Sequence, residues 1–87
     1  MYVVTMINKI TGLTIAPTAI DGKRVLRFKT PEAAADHITE WANRTGNGLS
    51  RSGNTLSVVT VSGFKTEFIP RSEYANDVAR VIQEIEK

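Results

Sequence analysis

Phe28 and Phe68 lie forty residues apart, and each closes a β-patterned run that hands over to an amphipathic helix. Phe28-Lys29-Thr30-Pro31-Glu32 leads into Ala34, Ala35, Ile38, Trp41 and Ala42, while Phe68-Ile69-Pro70-Arg71-Ser72 leads into Tyr74, Ala75, Val78, Val81 and Ile82. In both helices the apolar positions recur at intervals of three and four residues, the stripe that one buried helix face requires. Each half therefore reads as a β-hairpin followed by a helix. The pattern predicts a small α+β domain over residues 1–87, with one antiparallel sheet carrying both helices on one face. Phe28, Trp41, Phe68, Val78 and Ile82 are then expected to share a single core.

Local signals fill in the order β-β-β-α-(β)-β-β-α. Residues 2–8 alternate with both faces fairly apolar, the pattern of a central or doubly covered strand. Asn8-Lys9-Ile10-Thr11-Gly12 is turn-like, with Gly12 able to take a positive φ. Leu13 to Ile20 follows as a strand whose far end Pro17 confines to an edge or bulge. Asp21-Gly22 signals a hairpin into Arg24 to Lys29, where Leu26 and Phe28 read inward and Val25, Arg27 and Lys29 outward. Thr30-Pro31-Glu32 starts a helix: a capping hydroxyl, a proline that needs no N–H, and a carboxylate at the positive end of the dipole. That helix runs to about Thr45, and Gly46 stands where a left-handed residue ends it. A polar stretch from Gly46 to Asn54 holds a short strand at Leu49 to Arg51. Thr55 to Ser62 and Phe64 to Ile69 form the last hairpin, and Ser72 is expected to cap the final helix to about Ile85.

Composition narrows the chemistry. There is no cysteine, which excludes disulfides, thiolate nucleophiles and Cys-based metal sites. The start, Met1-Tyr2-Val3-Val4, enters β alternation directly without a charged region followed by an apolar run, and no apolar run has the length of a membrane span. A soluble cytoplasmic protein with no membrane contact is the expectation. Charge is uneven: residues 23–51 hold six cations against three anions, and residues 52–87 four against five. A basic middle suggests an anionic partner, though it falls short of a nucleic-acid-binding tail.

The individual candidates are modest. His37 is the single histidine and reads as a solvated helix flank, with no second imidazole to share a metal. Glu40 has Arg44 four residues on, the spacing of a surface ion pair. The glycines of Gly46 to Asn54 resemble a phosphate loop in composition only, because they follow a helix where a phosphate loop precedes one. No catalytic set, cofactor or metal site is expected. The strongest signal is the basic run Lys23, Arg24, Arg27 and Lys29. On an open sheet face with Arg51 and Lys65 it would form a basic plate, but the phenylalanines read inward and leave no base-stacking platform. Trp41, Arg44 and Arg51 gather the residue types that dominate protein–protein hot spots, with Arg27 and Lys29 beside them.

The composition and economy are those of small accessory proteins of phages and mobile elements. The first expectation is a non-enzymatic protein-binding module that inhibits or modulates a larger host machine, an anti-CRISPR or other anti-defence protein being one concrete version. Its partner would be a host or phage protein. The alternative is a nucleic-acid-binding protein using the basic strand and the Gly46 to Asn54 loop. A homodimer through an edge strand is a further possibility.

Overall fold

The computed structural model describes residues 1–8, 10 and 12–87. The chain runs β1 (Tyr2–Asn8), β2 (Gly12–Ile15), α1 (Pro31–Thr45), β3 (Gly48–Ser52), β4 (Thr55–Val59), β5 (Lys65–Ser72) and α2 (Asn76–Ile85). All five strands join one antiparallel sheet in the order β2-β1-β5-β4-β3. This is the α+β class that the sequence predicts. Lys9 and Thr11 of the expected first turn lie outside the described residues, and Gly12 takes its expected positive φ of 88°.

Helix α1 follows its local signals closely. Thr30 is extended, and its Oγ1 accepts the Ala33 N–H at 3.1 Å. Pro31 opens the helix, and Gly46 closes it with φ 74°. Ala34, Ala35, Ile38 and Ala42 are buried, so α1 lies close on the sheet through small residues. Helix α2 starts later than expected. Ser72 ends β5, and its Oγ accepts the Tyr74 N–H at 3.2 Å in a turn, while Ala75 caps the helix without a side-chain bond. That turn carries Tyr74 off the apolar stripe, and it is 76% exposed instead of core.

The helices do not share a face. Val3 and Val4 are both fully buried, and successive strand residues point to opposite sides of a sheet. Val4 joins Ala34, Ala35, Ile38, Ala42, Leu56, Val58 and Phe68 under α1, whereas Val3 joins Ile15, Val25, Val78 and Ile82 under α2. The register agrees, since Leu56 and Met6 both stand opposite Phe68 while Ile15 stands opposite Thr5. Phe28, Trp41 and Phe68 therefore belong to one core, and Val78 and Ile82 to another. The doubly apolar pattern of β1 had this meaning: it is the strand covered on both sides.

The expected third strand, Arg24 to Lys29, contributes only isolated bridges, Thr18 with Val25 and Tyr2 with Phe28. Its backbone is satisfied from elsewhere. The Val25 N–H donates to Glu86 Oε2 at 3.1 Å, and the Val25 carbonyl accepts Arg27 Nη1 at 3.3 Å. Val25 is buried under α2 while Phe28 packs toward α1, as strand alternation allows at this spacing, but the backbone bonds of the segment are divided among Tyr2, Pro17, Ala19 and Glu86 and make no continuous ladder. In β5 the strand continues through Pro70, although β5 is internal to the sheet. Pairing with β4 stops at Phe68, and Val4 opposite Pro70 directs its carbonyl to Ala16, so no ladder bond requires a donor at Pro70.

Candidate functional site

On the α1 side the helix covers β5, β4, β3 and β1 but stops short of the chain that follows β2. The gap is an apolar cleft of about 390 Å³ lined by Met6, Ala16, Pro17, Thr18, His37, Ile38, Trp41 and Phe68. Trp41 meets Phe68 edge-on with ring centroids 6.1 Å apart, which fixes the indole as one wall. His37 lies half-buried with its ring tilted 51° against Phe28 at 5.2 Å. It is thus part of the cleft lining and not the freely solvated flank that helical spacing alone suggests. Among the described residues neither the Trp41 indole N–H nor a His37 ring nitrogen has a protein hydrogen-bond partner. A second hollow of about 570 Å³, lined by Thr18, Ala19, Ile20, Asp21, Arg24 and Leu26, shares Thr18 with the cleft and prolongs it along the hairpin around Gly22.

The five residues singled out from sequence are separated by the fold. At about 100° per residue, His37, Trp41 and Arg44 fall within about 60° of one another on α1. Arg44 sits in the last turn, where a cation complements the dipole, and makes no ion pair among the described residues, with Glu40 or any other. Lys29 is exposed beside Phe28 at the start of the helix, again without an ion pair. Trp41 lines the cleft with Arg44 one turn beyond it, whereas Lys29 lies at the opposite end of the 15-residue helix and is not part of the lining.

Arg51 is on the other side of α1. Its Nη1 donates to Asp36 Oδ1 at 2.8 Å and its Nε to the Gly53 carbonyl at 2.9 Å. Asp36 lies about 140° around the helix from Trp41, so Arg51 and Trp41 do not form one surface. The fold gives Arg51 a structural task, clasping the β3–β4 turn to α1, that sequence reasoning did not find. Asn54 strengthens the same clasp by donating to Glu32 at 3.3 Å.

Arg27 is likewise engaged. It grips Glu86 with two bonds of 2.8 and 2.9 Å and donates through Nε to Glu73 at 2.9 Å. Its side chain is only 33% exposed. The bond from Arg27 holds the Glu86 carboxyl down at about 2, and the reciprocal bond raises the guanidinium further above its usual range. At the base of α2, hydrogen bonding from Arg71 similarly lowers the Asp77 carboxyl.

The expected basic plate is therefore not assembled. Arg51 stands opposite Leu56 on the α1 side, Lys65 opposite Val59 on the other, and Arg27 is tied to the last helix. Among the described residues no group of three or more His, Asp or Glu side chains converges as a metal site, and no helix is long and apolar enough to cross a membrane. The cleft itself was not legible in the sequence. Pro17 marked the spot as irregular, but nothing in the pattern placed residues 16–18 across from Trp41. No family model, curated protein or solved structure matches this chain.

Proposed function

We propose that this chain is a small non-enzymatic protein-binding module, of the kind that phages and mobile elements use to modulate a larger host machine, anti-defence proteins among them. Its contact surface is the cleft beside Trp41. The observation that carries this reading is the pairing of a half-open indole with an unengaged arginine one turn away. Trp41 offers a rigid aromatic wall over Phe68, and Arg44, three residues further along the same helix, has no ion pair among the described residues. Arg24 reaches only Asp21, at 4.0 Å with both side chains exposed, a contact of little energetic weight. Apolar anchor sites ringed by polar groups, with Trp and Arg at the centre, dominate binding energy in protein interfaces. The partner is accordingly a protein that presents an apolar side chain flanked by acidic residues.

The test begins with co-purification of a host protein on the tagged wild-type chain, followed by affinity measurement with both components pure. Replacing Trp41 and Arg44 together by alanine is expected to weaken the complex at least tenfold, about 1.4 kcal/mol. Glu84→Gln on the exposed side of α2 is expected to leave it unchanged. A partner held equally tightly by the Trp41/Arg44 variant would refute the assignment of the cleft.

A further inference from the structure

Turns are usually polar, yet the end of the sheet that carries the β4–β5 connection is apolar. Val61 and Phe64 are 91% and 72% exposed on the turn closed by the Thr60 N–H and the Phe64 carbonyl at 2.9 Å. Val59, at the end of β4, stands directly opposite Lys65 in β5, and Lys65 shares a depression of about 470 Å³ with Ile7, Glu67 and Ile69. Ile7 is 74% exposed. These apolar groups thus continue into one another across β4, β5 and β1, on the side of the sheet where α2 lies over β2 and reaches β5 only at its far end, through Arg71. Contiguous exposed apolar surface rimmed by polar residues marks an interaction site.

Charge says what covers it. Lys65 and Glu67 alternate on this same face, both exposed and both without an ion pair or side-chain hydrogen bond among the described residues. A cation and an anion two residues apart make a self-complementary pattern. A twofold contact sets Lys65 of one copy against Glu67 of the other, twice, because such a contact uses the same patch on both subunits. The geometry points to a second copy of this chain as the occupant, joined through Ile7, Val59, Val61 and Phe64 with two reciprocal Lys65–Glu67 pairs fixing the register. This surface is separate from the Trp41 cleft and leaves it free. It is also a face contact, unlike the edge-strand pairing that sequence alone suggests.

Sedimentation or light scattering over micromolar to millimolar protein, with circular dichroism to verify folding, reads the outcome directly. Wild type is expected to pass from monomer to dimer. Lys65→Glu and Glu67→Lys, each placing like charges face to face, are expected to weaken the dimer at least tenfold while circular dichroism still shows a folded chain. The combined variant, in which the charges are exchanged, should recover wild-type association. A wild type that stays monomeric throughout overturns the inference and leaves the patch to a different protein. So does a dimer that ignores the single reversals, or one that the double exchange fails to restore.

Discussion

Arg27 and Arg44 look interchangeable in the sequence, two arginines in a basic stretch, and the fold gives them opposite fates. Arg27 lies between two carboxylates, Glu86 and Glu73, whose side chains are 26% and 15% exposed, and it serves the fold. Arg44 has no such neighbour and stays available one turn beyond Trp41. The difference could not be read from sequence because Glu73 and Glu86 are 46 and 59 residues away from Arg27, brought in only when α2 packs. The Arg27–Glu86 pair makes a prediction with a definite sign. The Glu86 carboxyl titrates near 4.5 when unfolded and at about 2 when folded, so the unfolded chain binds the extra proton in between. The pair's stabilisation is complete above the unfolded value and is lost as pH falls from about 4.5 toward about 2. In urea titrations Glu86→Gln should be less stable than wild type at neutral pH, and the gap should close across that acidic window. A gap that stays constant down to pH about 2 would mean that the ion pair does not contribute.

Among the elements, α1 was legible to its ends because each boundary is written in local chemistry: a hydroxyl, a proline and a glycine at fixed offsets. Helix α2 was legible in its apolar stripe but not in its start. Ser72 has the same capping chemistry as Thr30, and β5 claimed it first by extending through Pro70. The two residues therefore respond differently to truncation. Thr30→Ala removes a helix cap and should cost about 1 kcal/mol in chemical denaturation, whereas Ser72→Ala, which loses one exposed turn bond, should cost less than about half of that. Equal losses would restore Ser72 as the cap of α2. The supposed third strand failed for a different reason. Its alternation was real, and Val25 and Phe28, three apart, do face opposite cores as strand residues would, but its backbone bonds are divided among Tyr2, Pro17, Ala19 and the Glu86 side chain, so no continuous ladder forms along one neighbour.

For the whole molecule, the sheet is a middle layer with α1 across most of one face and α2 over one edge of the other. Matching registers in the two strand–helix units suggested a repeat with both helices on the same side. The units do build one sheet, but β1 and β5 meet at its centre, and the alternation of β1 sends Val3 and Val4 to separate cores. Helical and β periodicity reveal which residues of an element are buried; they do not reveal which side of a sheet a later helix will choose. This uneven coverage is what leaves a cleft at Trp41 and a bare face at Lys65, so the surfaces available for binding follow from the layer arrangement. Because the chain contains one tryptophan, the cleft can be watched alone. With 5-fluorotryptophan incorporated, the ¹⁹F NMR spectrum carries one resonance, that of Trp41, whatever tryptophans the purified partner contains. The account predicts that adding the partner shifts this resonance and shields it from a soluble paramagnetic probe. A complex that forms with the resonance unmoved and equally accessible would contradict the claim that the partner docks on the Trp41 cleft.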